Sequence, residues 1–370
     1  MDEFESKSLG YQISHGMFSS RKSLNNAGDP FSKNIFHKVN SHADERELVL
    51  FFGKHVLGLK AEEVWGYCAS GSTEGIMNGL WMARKRFPLG ACIYASADCH
   101  YCVPKIADML CMPYKSVSVD EDTGSMNMDE LRESIEAGGR ADEHAIVLLT
   151  MGTTIRNGYD DIARFYEVVA NKLPNTRFHV HVDGAFGGVI YPFVKPEWLD
   201  YRVDTFNMSF HKFLGCPYPC TIFITPRSVQ NEIKGNGCFG KEMVCLPDKD
   251  FTISCSRNGT AVALMKEVVC SDGFEARVRE MITRCFENKA YFVQQLKERT
   301  SVRHASVEPL GMSVELKGLP SRYKELLAPY GVSVRWVPNT STFDTHVYVC
   351  EHVDKALLDE VVELLAGVQA

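Results

Sequence analysis

The chain has 370 residues, of which 45% are hydrophobic, 24% charged and 11% aromatic. That composition excludes a collagen-like, low-complexity or mostly disordered protein. The formal net charge is −7, with 40 basic and 47 acidic residues, which argues against nucleic-acid binding. No apolar stretch reaches about 18 residues, so we expect no membrane span. The first residues lack the basic start and apolar core of a signal peptide. The 13 cysteines, an odd number scattered along the chain, favour reduced thiols and a cytoplasmic location.

The chain divides into three predicted regions. Residues 1–45 are polar and turn-rich and predict an N-terminal arm. Residues 46–275 alternate short apolar runs with amphipathic stretches, which predicts a large α/β domain with a mostly parallel sheet flanked by helices. Residues 276–370 predict a smaller C-terminal α+β domain.

The predicted elements follow from the periodicity of apolar residues. In the large domain we expect a helix after Thr73, a helix over 162–173, and strands near Trp65 and over 91–94, 145–149, 178–182, 205–209 and 221–225. In the smaller domain we expect residues 286–296 to continue a long helix, and a final helix over 355–365. We expect strands over 306–308, 313–316, 332–336 and 346–349. The run at 145–149 is continuously apolar, as in a strand covered on both faces.

Polar residues follow the predicted strands, where ligands bind in open α/β sheets. The sequence Ser-Gly-Ser-Thr-Glu-Gly at 70–75 runs into a helix, and its small residues favour an anion such as phosphate at the helix start. An ordinary turn with a hydroxyl cap has the same composition, because glycine-rich loops are a weak motif. His100 follows the next strand and is suited to stacking on a flat ligand or to acid–base chemistry, although a capping or core histidine is an equal alternative.

Three further strand ends carry reactive side chains. Thr153 and Thr154 place hydroxyls at the edge of the sheet. Asp183 follows an apolar strand, where a carboxylate needs a cationic or N–H partner; the simpler interpretation is a helix cap. Lys212 is a candidate nucleophile at a sheltered strand end, although most lysines are solvated surface groups. An anion site, an imidazole, hydroxyls, a carboxylate and a lysine together fit one cofactor, pyridoxal 5′-phosphate.

The same motifs resemble those of the pyridoxal-phosphate-dependent group II amino-acid decarboxylases, and most of all the bacterial-type histidine decarboxylases and plant serine decarboxylases. The matching segments are 25–30, 65–67, 71–75, 100–101, 152–154, 181–185, 209–212, 217–220 and 256–259. The resemblance implies the aspartate-aminotransferase-like fold, fold type I of the pyridoxal-phosphate enzymes. It also implies a homodimer with its active sites at the interface.

The resemblance assigns a role to each matching residue. Lys212 would bind the cofactor covalently, and Asp183 would pair with the pyridine nitrogen. Ala185 and His100 would lie on opposite faces of the ring. The phosphate would be held by Ser72, Thr73, Ser209 and His211, and Thr153 or Thr154 would lie near Asp183 or the ring edge.

The sequence also departs from the family pattern. Phe210 stands where a glycine is common, so the backbone there must avoid positive φ. Residues 235–250 contain no tyrosine, although many relatives use a tyrosine in this loop to protonate the α-carbon. Tyr101 or His100 would then return the proton. Arg257 is either a structural residue or a contact for the substrate carboxylate, and Tyr11 is a candidate substrate contact.

Several functions remain open on the sequence. We expect decarboxylation of an L-amino acid, with L-histidine to histamine first and L-serine to ethanolamine second. A loop without tyrosine also allows oxidation to an aldehyde, ammonia and hydrogen peroxide. A catalytically dead homologue acting as an interaction protein is a further alternative. Cys99, His100 and Cys102, with Cys216 and Cys220, have spacings seen in zinc or thiol-redox sites, but four convergent ligands are needed, so we expect no metal.

Overall fold

The computed structural model describes residues 24–33, 39–88, 90–138, 144–235, 250–306 and 310–367. Its first sheet has seven strands: β1 (Val64–Ala69), β2 (Cys92–Ser96), β3 (Tyr114–Val117), β4 (His144–Thr150), β5 (Arg177–Asp183), β6 (Thr205–Ser209) and β7 (Thr221–Pro226). Their spatial order is β1-β7-β6-β5-β4-β2-β3. Only β7 runs antiparallel to its neighbours, and the pairs from β6 to β3 are all parallel. The α/β fold with a mostly parallel sheet is therefore confirmed.

Helices flank this sheet. They are α1 (His42–Leu57), α2 (Ser72–Arg86), α3 (Cys102–Met109), α4 (Met128–Glu136), α5 (Ile162–Arg164), α6 (Tyr191–Val194), α7 (Arg227–Gly235), α8 (Gly259–Val269) and α9 (Phe274–Arg299). The helix predicted over 162–173 is shorter, because α5 continues only as a π-helical segment over Phe165–Ala170. Strand β3 was not predicted; it lies at the sheet edge, and its largely exposed residues carry no clear apolar pattern.

The core of the sheet has two sides. Successive side chains of β4 point to opposite faces: Ile146 and Leu148 pack with helices α2 and α3, whereas Val147 and Leu149 join the larger cluster on the other face. Both sets are buried. The prediction that this apolar run forms a strand covered on both faces is confirmed.

A second, four-stranded sheet follows. It contains β8 (Arg303–Ser306), β9 (Ser313–Pro320), β10 (Val334–Trp336) and β11 (Thr342–Tyr348), with the short helix α10 (Tyr323–Leu327) and the last helix α11 (Lys355–Leu365). All of its pairings are antiparallel. Helix α9 packs its first half on the core of the large sheet and its last turns, through Phe292 and Leu296, on the second core. The domain boundary predicted at 275 lies inside this shared helix and stays a prediction.

Among the described residues, no helix is both long and apolar enough to cross a membrane.

Candidate active site

The carboxyl ends of the parallel strands form one edge of the large sheet. The end of β5 carries Asp183, and the end of β6 carries Ser209. Helix α2 begins at the same edge, because Ser72 Oγ lies 2.7 Å from Ser209 Oγ. This edge brings together several of the candidate residues that sequence reasoning selected one at a time.

The carboxylate of Asp183 is buried but only partly hydrogen-bonded. Its Oδ1 accepts the Nδ2–H of Asn207 at 3.0 Å and the backbone N–H of Ala185 at 3.1 Å. Among the described residues, these are its hydrogen bonds, and none reaches Oδ2. Oδ2 is not fully enclosed, so it can accept a hydrogen bond from a donor that enters the site. The arrangement therefore leaves room for an N–H group of a bound molecule.

A row of hydroxyls lies next to the start of α2. Ser72 Oγ receives the Nδ2–H of Asn207 at 3.2 Å, and Ser209 Oγ lies 3.0 Å from Thr221 Oγ1. Gly71, which precedes the helix, makes no side-chain cap, so the first backbone N–H groups have no partner within the helix. Thr73 is exposed in the same turn. Free N–H groups, the helix dipole and hydroxyls together suit a phosphate group.

His100 is half-buried at the mouth of this edge. Its Nδ1 accepts the backbone N–H of Cys102 at 3.3 Å, which leaves the ring proton on Nε2. Burial lowers the pKa of His100, and the positive charges of Lys212 and Lys105 lower it further, while Asp183 opposes them. His100 is therefore a neutral N–H donor that interacts electrostatically with both Asp183 and Lys212. The ring of Tyr101 packs against it with centroids 4.4 Å apart, and Tyr101 itself is 73% exposed.

Lys212 lies in a turn three residues beyond the end of β6, with its side chain exposed. His211 anchors this turn, because its Nδ1 accepts the backbone N–H of Cys220 at 3.1 Å. Phe210 is buried, and among the described residues other than glycine positive φ occurs only at Cys111, Asn157 and Asn339. The expectation that Phe210 avoids positive φ is confirmed.

Thr153 and Thr154 occupy a turn near the end of β4. The buried hydroxyl of Thr153 accepts the backbone N–H of Gly158 at 2.9 Å, so it holds the turn together. Thr154 is exposed, and the carbonyl oxygens of both threonines accept the hydroxyl of Tyr348 at 3.1 Å. Their predicted place beside Asp183 stays a prediction.

Arg257 is almost completely buried and forms an ion pair with Glu45. Its guanidinium also donates to the Cys68 carbonyl at 3.0 Å and lies over the ring of Tyr67 at 5.0 Å. These partners favour the structural interpretation of Arg257, since its charge is already neutralised. The alternative of a substrate contact stays a prediction. The candidate substrate contact Tyr11 and most of the loop without tyrosine, residues 236–249, lie outside the described residues.

The cysteines and the histidine whose spacing resembles a zinc or redox site do not form a metal-binding cluster in the described part of the chain. Cys102 begins α3, and Cys99 Sγ lies 3.5 Å from the hydroxyl of Tyr114. In the described ranges, no group of three or more His, Cys, Asp or Glu side chains is arranged to hold a metal ion.

Sequence reasoning missed Asn207 and Thr221. Asn207 is completely buried in β6 and bonds to both Asp183 and Ser72, and Thr221 continues the row of hydroxyls from the first residue of β7. The only signal for Asn207 is an amide inside a short apolar strand, where a polar group needs partners. The register that places Asn207 opposite Asp183 becomes visible only in the folded sheet.

Comparison with known proteins shows which family the chain is similar to. The model of the pyridoxal-dependent decarboxylase conserved domain matches residues 83–312. A histidine decarboxylase of Solanum lycopersicum is 30% identical over 280 residues, covering 74% of this chain and 64% of its own length. Serine decarboxylase 2 of Oryza sativa subsp. japonica is 31% identical over 280 residues, covering 75% of this chain and 57% of its own length. The chain thus spans less than two thirds of the length of these two relatives.

A solved structure has the same fold. The L-methionine decarboxylase of Streptomyces sp. 590 superposes with a TM-score of 0.77, covering 93% of this chain and 86% of that chain, at 22% identity. At this level of identity the similarity concerns the fold, and it confirms the fold-type-I architecture implied by the sequence motifs.

Proposed function

The chain belongs to the pyridoxal-dependent decarboxylase family, and we propose that it removes the α-carboxyl group of an L-amino acid as CO2 and releases the amine. Its cofactor is pyridoxal 5′-phosphate. The observation that carries the proposal is the buried carboxylate of Asp183, which has one oxygen bonded and the other without a donor, beside a helix start lined with hydroxyls. Both ends of a phosphorylated pyridine find complementary groups there.

The residues fit this cofactor at three points. Asp183 Oδ2 would accept the pyridine N–H and keep the ring nitrogen protonated. Ser72, Ser209 and the first N–H groups of α2 would hold the phosphate, with Thr73 and the anchored His211 as further candidates. Ala185 and His100 would lie on the two ring faces, and Lys212 would supply the amine that holds the cofactor covalently.

When bound, the cofactor supplies an electron-accepting ring that takes up the electron pair of the broken bond to the carboxyl carbon. The protein does the rest through its own groups. Asp183 stabilises positive charge at the ring nitrogen, because its carboxylate is buried and fixed by two N–H groups. His100 Nε2–H, neutral and close to Lys212, is the candidate donor of the proton that the α-carbon must receive. Tyr101 is the alternative donor.

Histidine is the substrate that we propose first and serine the second. What supports them is that proteins of both names occur among the most similar relatives, at nearly equal identity. The absence of tyrosine from residues 235–250 keeps an oxidative outcome, with an aldehyde as product, as the competing reaction. We also propose a cytoplasmic homodimer, which sedimentation of the purified protein would test through its mass.

A product screen tests the proposed activity. Protein loaded with pyridoxal phosphate is offered each common L-amino acid separately, and the products are identified by mass spectrometry. Histamine is the expected product, ethanolamine would make serine the substrate, and an aldehyde with peroxide would establish the oxidative reaction. If no amino acid yields a product although the cofactor is bound, the proposed activity is wrong and the inactive homologue is the better interpretation.

A substitution of Lys212 tests whether this lysine binds the cofactor covalently. Lys212→Ala is expected to abolish both product formation and the visible absorbance of lysine-bound cofactor, because no other amine would take its place. Lys297→Ala, an exposed lysine on α9, is expected to change neither. An unchanged spectrum in Lys212→Ala would show that the lysine is assigned incorrectly.

A further inference from the structure

Asn207 joins the two ends of the proposed cofactor site through one side chain. Its Nδ2 donates to Asp183 Oδ1 at 3.0 Å, where the pyridine nitrogen would bind, and to Ser72 Oγ at 3.2 Å, where the phosphate would bind. Asn207 is completely buried, and it lies directly opposite Asp183 in the pairing of β5 with β6. An amide with no access to water depends on these partners for its hydrogen bonds.

The orientation of this amide is fixed by its neighbours. With the amide reversed, Oδ1 of Asn207 would face the carboxylate of Asp183, and two acceptors would be in contact without a proton between them. The observed orientation therefore points the amide oxygen away from Asp183. That oxygen is buried and lacks a hydrogen bond of good geometry in the described part of the chain.

Two buried histidines lie behind Asn207. Thr205 Oγ1 is 2.9 Å from His181 Nδ1 and 3.0 Å from His179 Nε2. Burial lowers the pKa of each imidazole to about 4, so both are neutral near pH 7. The Nε2 of His181 is the second buried atom without a partner of good geometry, and the side chains of His181 and Asn207 interact.

The buried side chains His179, Thr205, His181 and Asn207 form a chain of polar groups. One arrangement of protons gives every donor in this chain of groups an acceptor. His179 Nε2–H donates to Thr205 Oγ1, the threonine hydroxyl donates to His181 Nδ1, and His181 Nε2–H points to Asn207 Oδ1. The atom left over is His179 Nδ1, which then carries no proton and is also without a partner among the described residues. A buried acceptor without a partner is tolerated better than a buried donor.

We propose that Asn207 is a positioning residue, oriented by His181, that fixes the carboxylate of Asp183 and the hydroxyl of Ser72 relative to each other. The spacing between the groups for the ring nitrogen and the phosphate is then set before the cofactor arrives, which reduces the ordering that binding requires. The inference rests on the cofactor of the proposed function but not on which amino acid is decarboxylated.

A double-mutant cycle on cofactor affinity tests the proposal. The dissociation constant of pyridoxal phosphate is measured by absorbance titration of the cofactor-free wild type, Asn207→Ala, Asp183→Asn and the double variant. We expect Asn207→Ala to weaken binding at least about tenfold and the two changes to be non-additive by at least about fivefold, because the amide acts through the carboxylate. Additive effects would overturn the proposal.

An isosteric variant covers the case in which Asn207→Ala does not fold. Asn207→Asp places a second carboxylate beside Asp183, and the two would share a proton at lower pH. Cofactor binding by Asn207→Asp is expected to improve at least about fivefold, relative to the wild type, between about pH 8 and about pH 6. A purely structural role would give a loss that does not depend on pH, which would contradict the proposal.

Two controls separate positioning from the general loss of a buried amide. Asn288 is also buried, and its amide donates to the carbonyl of Val353 at 2.8 Å, far along the chain from the site. Asn288→Ala is expected to lower stability while keeping the dissociation constant within about twofold of the wild type. His181→Gln, which retains an N–H donor, is expected to weaken binding less than His181→Phe does; equal effects would remove His181 from the proposal.

Failure of the inference and failure of the proposed function are distinguishable. A non-additive cycle with no amine in the product screen would leave the positioning role in place and reject the decarboxylase activity. An additive cycle with an amine product would reject the positioning role and support the decarboxylase activity. A wild-type protein that binds no pyridoxal phosphate would overturn both.

Discussion

Asp183 and Asp160 are two buried carboxylates near neighbouring strand ends, and their hydrogen bonds differ. Asp160 uses both oxygens, which accept the backbone N–H groups of Thr150 and Met126 at 2.7 Å each. Asp183 uses only Oδ1. Burial raises the pKa of Asp160 to about 7, so it is a partly neutral anchor between the end of β4 and the segment at Met126. Asp183 therefore keeps an oxygen that is available to a ligand, whereas both oxygens of Asp160 hold the chain together.

Asp183→Asn therefore tests the proposed role of the Asp183 carboxylate at the pyridine nitrogen. The amide cannot keep a pyridine nitrogen protonated, so turnover of the substrate found in the product screen is expected to fall at least about 100-fold, or about 2.7 kcal/mol in the barrier. Asp160→Asn is the matched control, expected to lower stability while turnover stays within about threefold of the wild type. Steady-state kinetics with both variants measures the difference. Turnover of Asp183→Asn within about tenfold of the wild type would contradict the role.

At the residue scale, the strand-end rule explains what the sequence could predict. Asp183, Ser209 and Lys212 follow apolar runs, so their positions in the chain place them at one edge of a parallel sheet. Asn207 lies inside its strand, and its partners depend on the pairing of β5 with β6, which no local pattern records. Arg257 was ambiguous because its partner Glu45 is 212 residues away in the chain.

At the scale of elements, the approach of α2 to the sheet determines where the proposed phosphate site lies. Gly75 and Gly79 lie on the side of the helix that faces β5 and β6. A Cβ atom at Gly75 would come within 2.7 Å of the Cβ of Asn207, and one at Gly79 would overlap the ring of His181. The two glycines therefore let the helix lie directly on the polar side chains of His181, Thr205 and Asn207. The start of α2 reaches Ser209 for the same reason.

Gly79→Ala tests this close contact. Alanine improves intrinsic helix propensity by about 1 kcal/mol, but the added methyl group must displace His181 or Thr205 in a packed interior, which costs about 1–3 kcal/mol. We expect a net loss in the free energy of unfolding and weaker cofactor binding. Denaturant unfolding of the cofactor-free protein measures the first and absorbance titration the second.

Gly71→Ala provides the comparison for Gly79→Ala. Gly71 has an extended backbone with φ of −178°, and a Cβ atom there would meet nothing within 4 Å. Its unfolding free energy is expected to stay within about 1 kcal/mol of the wild type, which is the cost of a poorer helix cap. If Gly79→Ala were as stable as Gly71→Ala, the close packing of α2 would not be what limits this position.

Elements with a strong apolar period were predicted well from the sequence. Strand β6 and helix α11 have the predicted bounds, and β4 and β5 differ from theirs by one residue at each end. Residues 286–296 continue a long helix, as predicted. Its start at Phe274 carries charged residues in the first turns, and their neighbours Phe274 and Val278 are buried only by the fold. Periodicity identifies a core face, and tertiary packing decides how far an element extends.

At the scale of the whole molecule, the buried ionisable groups make stability depend on pH in opposing ways. His179 and His181 have a pKa of about 4 in the folded protein, against about 6.5 for an exposed histidine. The unfolded chain therefore binds more protons between these values, and stability falls as the pH decreases. Asp160, with its pKa raised to about 7, opposes this, because the folded protein then binds the extra proton.

The contribution of one histidine can be isolated with His179→Gln, which retains a side-chain amide near Thr205 but cannot titrate. The charges around His179 are those of Asp204, Arg86 and Arg202, and burial is the largest cause of its low pKa. Above about pH 6.5 the wild type and the variant are expected to differ by a constant amount, because the imidazole is neutral in both states. As the pH falls from about 6.5 to about 4, protonation of His179 in the unfolded chain lowers the stability of the wild type alone, by about 1.4 kcal/mol for each pH unit. The difference in unfolding free energy between the two proteins changes by the same amount.

Chemical unfolding of the cofactor-free proteins across this range measures this difference. The control is His352→Gln, because His352 is exposed, and this variant is expected to follow the wild type. Parallel pH profiles for the wild type and His179→Gln would show that His179 has the same pKa in the folded and the unfolded protein, which would contradict the lowering of its pKa by burial. The order of hydrogen bonds from His179 through Thr205 to His181 would be the same, because a charged imidazole also carries the proton on Nε2.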